Sequence, residues 1–179
     1  VEVNIKIALG PVVREGRLTF ETRNVMLTEM TDEVAYLVLR NNYLQTLAIS
    51  LDERRGLEDL GFLQRLMQTL ETRGELNRSV EFLPDDMEIA ERARRGQALT
   101  RPELAVLLAY AKLALYTELL DSAVPDDPYL GRELGRYFPK VLSERFGDAL
   151  AQHRLRREII ATQLANSIIN RGGPSLVVR

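Results

Sequence analysis

Cysteine and tryptophan are absent from this chain of 179 residues, histidine occurs once, and aromatic residues make up only 6%. Without cysteine there is neither a disulfide nor a thiolate metal site. A single histidine also excludes a histidine-rich metal centre, so the expected metal ligands are none. The formal net charge of −2 lacks the basic excess that sequence-independent attraction to nucleic acid or an anionic membrane requires. The shortage of aromatics removes the stacking platforms on which single-stranded nucleic acids bind. Neither nucleic acid nor membrane is therefore an expected partner.

The start, VEVNIKIALGPVV, has no basic n-region and no small-residue cleavage site, so it does not read as a secretory signal. It opens on Val1 rather than methionine, in an aliphatic stretch, and reads as a piece cut from a longer protein. The lack of cysteine is compatible with a cytoplasmic setting.

What is present is an ordinary globular composition, 45% hydrophobic and 28% charged. At this length folding removes roughly 70% of the unfolded chain's surface from water, enough for a self-supporting core. One domain, or one domain with an appendage, fits the length. Only three of the 24 cations are lysines, Lys6, Lys112 and Lys140.

The periodicity is helical nearly throughout and predicts an all-α, irregular multi-helix bundle of about seven to nine helices. Thr19 is placed to cap a short helix to about Met30. Thr31-Asp32-Glu33 then reads as a second cap opening a helix to about Arg54, with acids in its first turn. That helix carries one apolar stripe at Tyr36, Leu39, Tyr43 and Leu47, and another at Leu37, Leu44, Ala48 and Leu51. Two stripes predict packing on more than one neighbour. Gly56 interrupts the pattern, Leu60, Leu63, Met67 and Leu70 resume it, and Gly74 is a C-terminal stop.

Residues 75–83 are ambiguous, and Pro84-Asp85-Asp86 opens a polar helix ending near Gly96. Thr100-Arg101-Pro102-Glu103 has the form of a capping box with proline in the first turn. It introduces a central apolar helix near 101–121, too short in its apolar run to span a bilayer. Two shorter helices are expected over 129–137 and 139–152, and a last one from His153 to the Gly172-Gly173-Pro174 stop. The opening VEVNIKI alternates apolar and polar residues, which alone favours a strand, but the chain offers it no obvious partner strand.

Several residues are candidates for chemistry. His153 as a general base needs an orienting acceptor and a nucleophile, and no serine or cysteine motif supplies one; a helix-end or surface histidine is the simpler reading. Arg154, Arg156 and Arg157 fan around the helix at about 100° per residue and form no single stripe, which favours intramolecular ion pairs. Gly172-Gly173-Pro174 follows a helix, whereas a phosphate loop precedes one. Lys112 is the one strongly polar residue between Leu104 and Tyr116; an apolar setting can turn a lysine into a nucleophile, but a buried stem with its ammonium in solvent or paired is the expectation. Asp85-Asp86 and Asp126-Asp127 border prolines at helix starts and turns, where capping accounts for them without a metal. Asn166 lies in the apolar last helix and, if buried, needs partners for its amide.

Beyond these patterns, LTRPELAVLLAYAKLALY (99–116), PDDPYL (125–130), RYFP (136–139) and HRLRREIIATQLAN (153–166) resemble the C-terminal region of the large bacterial NAD-specific glutamate dehydrogenases. EVNIKI followed by TDEVAYLVLRNNYLQTLA resembles the same family just after its dinucleotide-binding domain. The resemblance runs in order along essentially the whole chain. It implies that residues 1–30 follow the nucleotide domain and that 31–179 form a C-terminal helical domain. It also makes VEVNIKI a helix, against its own alternation.

The implied reaction of the parent enzyme converts glutamate, NAD and water to 2-oxoglutarate, ammonia and NADH. The family's catalytic lysine and aspartate and its NAD-binding turn lie upstream, so the expected catalytic and cofactor-binding residues here are none, and Lys112 does not inherit the catalytic role. NAD belongs to the parent enzyme, and none is expected to bind this piece. Its implied partners are the catalytic and nucleotide-binding domains of the same polypeptide, within a homo-oligomer. The competing expectation is a free-standing helical protein-interaction module.

Overall fold

A computed structural model describes residues 1–178, and among these the secondary structure is entirely helical. Ten α-helices are present: α1 (Glu2–Arg14), α2 (Phe20–Glu29), α3 (Thr31–Arg55), α4 (Leu57–Thr72), α5 (Asp86–Arg94), α6 (Arg101–Leu120), α7 (Arg132–Tyr137), α8 (Lys140–Arg145), α9 (Gly147–Ala151) and α10 (Arg156–Gly172). Short 3-10 turns occupy Val124–Asp126, Pro128–Gly131 and Pro174–Val178. The backbone divides into two compact units, Val1–Asn42 with Leu119–Leu164, and Tyr43–Glu118 with Ala165–Arg179. Among the described residues no helix is long and apolar enough to cross a membrane.

In the first unit, α1 decides the question its sequence left open. Ile5, Ala8, Leu9 and Val12 recur at helical spacing and are all buried, whereas Val3 is exposed. Only the helical period puts those four on one face, so the alternation at the start is incidental. They join Met26, Phe138, Leu142, Leu150 and Ile160 in a single core. Helix α1 lies against α9, and α7 and α8 lie against α9 in turn.

Thr19 caps α2 as expected, its hydroxyl oxygen accepting from the Thr22 N–H at 3.1 Å. Thr31 does not cap α3. Met30 keeps helical angles (φ −81°, ψ −4°), the chain passes into α3 almost without interruption, and the Thr31 hydroxyl donates back to the Leu27 carbonyl at 3.4 Å. Glu33, read as a first-turn acid, has a second use: its carboxylate accepts from the Lys140 N–H at 3.0 Å, at the start of α8. The single helix expected over 139–152 is two, because Phe146 leaves the helical region (φ −136°, ψ 35°) and is buried in the core beside Leu142 and Leu150.

The second unit is built on α4 and α6. Leu60, Leu63, Leu66, Met67 and Leu70 of α4 are buried with Leu104, Leu107, Leu108, Ala111 and Ala114 of α6. Each leucine-sized side chain on that face of α4 contributes on the order of 1.5–3 kcal/mol when fully buried. The Glu103 half of the capping box is formed: its carboxylate accepts from the Thr100 N–H at 2.7 Å. The C-terminal 3-10 turn lies along α4, with Ser175 fully buried and its hydroxyl 3.4 Å from Asp59 Oδ2. Helix α3 contributes little here. Ala48 and Asp52 are its buried residues, and the Tyr36, Leu39, Tyr43, Leu47 stripe expected to pack is exposed.

Candidate functional site

His153 sits in the turn that precedes α10 and is buried, not on the surface. The Leu155 N–H donates to its Nδ1 at 3.0 Å, while its Nε2 lies 3.1 Å from the Asn4 carbonyl. A backbone N–H only donates, so Nδ1 must be the acceptor and Nε2–H the donor. With both nitrogens bonded to backbone, and Phe138 5.7 Å away ring to ring, this histidine fixes the entry of α10. It has no lone pair free to take a proton from a substrate.

The three arginines that follow diverge. Arg154 is exposed. Arg156 donates to the Pro125 carbonyl at 3.3 Å. Arg157 pairs with Asp126 and donates to the carbonyls of Leu120 and Ser122 at 2.8 and 3.1 Å. Arg156 and Arg157 thus clamp the 120–126 turn onto the start of α10. The expected ion pair is present, and the larger share of the bonds goes to backbone carbonyls left open where α6 ends. Asp127, its neighbour, caps the next 3-10 turn by accepting from the Tyr129 N–H at 2.8 Å.

Gly172-Gly173-Pro174 is a stop. Gly173 has φ +81°, and a Cβ there would lie 2.6 Å from Asp52 Oδ1 and 2.8 Å from Arg55 Nη1. The Arg55 guanidinium also donates to the Gly172 carbonyl at 3.3 Å and to Asp52 at 3.1 Å. The glycines therefore admit a buried carboxylate against the backbone, which is the reverse of a phosphate cradle. No strand-to-helix glycine turn exists among the described residues.

Lys112 departs from expectation. Its Nζ is buried and has no hydrogen-bond partner, and burial pushes its pKa down to about 8. The ammonium neither reaches solvent nor finds a carboxylate. Desolvation is the only influence on the group, which makes it a local cost within α6. Asn166 is only half-buried; the buried amide oxygen without a partner belongs to Asn170, one turn further on.

The acidic pairs are accounted for by capping and ion pairing. Asp85 caps α5 through the Glu88 N–H at 2.8 Å. Asp86 accepts from Arg78 at 2.8 Å and from Gln64 and Gln68 at 3.0 Å each. Those bonds, Arg78 foremost, hold its carboxyl down to about 2. Arg78 also pairs with Glu71 at 2.7 Å, so one guanidinium organises the stretch 75–86 that periodicity left ambiguous. Among the described residues no three potential ligands gather around a metal position. A groove of about 460 Å³ beside α1 and α9 is lined by Lys6, Arg14, Arg17, Asp148, His153 and Arg154. Arg17 is engaged by Asp148 at 2.7 Å, and nothing in the groove pairs a nucleophile with a base.

The class defined by this arrangement is an all-α segment whose polar clusters, among the described residues, cap, clamp and stop helices. Residues 96–179 match the family model described as glutamate dehydrogenase, C-terminal, and residues 1–52 match that of the bacterial NAD-glutamate dehydrogenase, catalytic domain. The chain is 53% identical over 178 residues to an NAD-specific glutamate dehydrogenase of Pseudomonas aeruginosa. It is 47% identical to one from Halomonas elongata and 38% identical to one from Mycobacterium tuberculosis, each over 99% of the chain. It belongs to this family as part of its C-terminal region, and it spans 11% of the length of these relatives.

Proposed function

We propose that the chain is the noncatalytic helical C-terminal portion of an NAD-dependent glutamate dehydrogenase. The parent enzyme converts glutamate, NAD and water to 2-oxoglutarate, ammonia and NADH. The observation that carries this reading is the 53% identity over almost the whole chain to a relative of that name. NAD supplies the hydride acceptor in the parent, and no residue here is assigned to it. Residues 1–30 continue from the nucleotide-binding domain, and residues 31–179 pack on the catalytic domain, supporting its hinge or the assembly of subunits.

The structural features fit that role. Histidine, arginine and aspartate side chains that elsewhere serve catalysis are committed here to backbone groups and to one another. In the full-length polypeptide, removal of residues 31–179 is expected to lower turnover, weaken NAD binding or disrupt assembly. The isolated chain, titrated with NAD and glutamate in a calorimeter, is expected to show no saturable binding. Saturable binding, or a truncated enzyme unchanged in all three properties, overturns the reading.

A further inference from the structure

Helix α3 is sparsely covered, with Ala48 and Asp52 its buried residues. From Thr31 to Leu47 it has no buried residue, although helices in proteins draw most of their stability from a packed face. Part of its outward surface is nonetheless apolar. Tyr36 is 63% exposed, Leu39 66%, Tyr43 64%, Leu47 39% and Leu51 40%. At 100° per residue these five fall within an arc of roughly 120°, which also takes in Arg40 and Ser50.

Charge is sparse along this part of α3, with Arg40 the single charge set within the arc. Arg40 is the one charged residue between Ala35 and Leu51, and charges return at Asp32-Glu33 and Asp52-Glu53-Arg54-Arg55 at the two ends. Charge is depleted at the centre of protein interfaces and retained at their rims. A solvated helix of this length normally shows the opposite distribution.

What covers the stripe is indicated by where it falls in the family. The match to the catalytic-domain family ends at residue 52, directly after Leu51, and the match to the C-terminal family begins at residue 96. Most of α3 therefore lies within the stretch matched to the catalytic-domain family, and this chain is 11% of the length of its relatives. We infer that the Tyr36–Leu51 face of α3 is the seat on which the rest of the catalytic domain, N-terminal to Val1 in the same polypeptide, packs. This rests on the proposed function and names the surface it requires.

The test uses the full-length polypeptide with a photo-crosslinking benzoylphenylalanine in place of Tyr43. Equal amounts of ¹⁵N-labelled and unlabelled chains are mixed, irradiated and mapped by mass spectrometry. The expected product joins position 43 to a residue preceding Val1 within one chain. A mixed-isotope product means a second copy covers the face and overturns the inference. A link to residues 96–179, or no link at all, overturns it as well. Glutamate-dependent NADH formation is measured on the same preparation. Its absence defeats the proposed function itself, whereas an intermolecular link in an active enzyme defeats only the assignment of the face. A Leu39→Ser variant adds a second reading, an expected loss of the catalytic domain's thermal midpoint by several degrees, and an unchanged midpoint counts against the inference.

Discussion

Lys112 is expected to destabilise the fold, and replacing it should show this directly. Its Nζ is buried without a partner, and the positions one turn away on α6, Leu108, Ala109, Leu115 and Tyr116, offer no acid. Burial lowers its pKa from 10.5 to about 8. Every tenfold change in an acid constant corresponds to about 1.4 kcal/mol between the two protonation states, which puts the ammonium's full penalty near pH 7 at roughly 3 kcal/mol. The side chain as a whole is only half-buried, and screening by the nearby solvent brings that down to about 2 kcal/mol. Methionine keeps a similar length and an unbranched, adaptable shape while removing the charge. Lys112→Met is therefore expected to stabilise the chain by about 2 kcal/mol at pH 7.

The sign with pH follows from the lowered pKa. The folded value lies below the unfolded one, so between about 8 and 10.5 the unfolded chain binds more protons than the folded chain. Stability of the unmodified chain then rises with pH across that window, and the penalty is fully relieved only above the unfolded value. Below about 8 both states are protonated and the penalty is constant. Urea denaturation followed by circular dichroism at pH 7, 8, 9 and 10 measures both chains. The curves should differ most at pH 7 and draw together toward pH 10, with the methionine variant the flatter. An equal or less stable Lys112→Met at pH 7, or an unmodified chain that gains nothing between pH 8 and 10, refutes the account of a desolvated, unpaired ammonium.

Two backbone positions give further tests in the same denaturation assay. Phe82 has φ +54° with its side chain 90% exposed, so it bears left-handed strain of about 1 kcal/mol with little packing in return. Phe82→Asn, which tolerates that conformation, should be neutral or stabilise by up to about 1 kcal/mol, and a clear loss means the ring is engaged. Gly173→Ala should cost about 2 kcal/mol or more, from the same positive-φ penalty together with a collision. Its Cβ would meet Asp52 Oδ1 at 2.6 Å and Arg55 Nη1 at 2.8 Å. A neutral Gly173→Ala would mean that the α10 stop does not seat against those two side chains.

What was legible in the sequence was local, and what was hidden depended on distant residues. The Thr100–Glu103 box and the Thr19 cap are bonds between residues close in the chain, so the letters contain both partners. The 75–86 stretch is held by Arg78 reaching Glu71 and Asp86, and nothing within 75–83 announces that both acids converge on it. The break at Phe146 is set by the core that takes its ring, since the 139–152 period continues through it. Lys112 went the same way: the helix pattern permits its amine to reach water, and only the packed neighbours deny it.

The stripe on α3 carries this distinction furthest. Its apolar period was plain in the sequence and predicted a neighbour, yet Tyr36, Leu39 and Tyr43 remain largely exposed. A pattern that is locally sound and globally unsatisfied is what an interface to absent mass should look like, and the opposite misfit, buried polar atoms at Lys112 and Asn170, marks strain within the unit. The two kinds of disagreement therefore carry different information. The first points outward, to the polypeptide that α3 was shaped to meet, and the second inward, to stability that a substitution can recover.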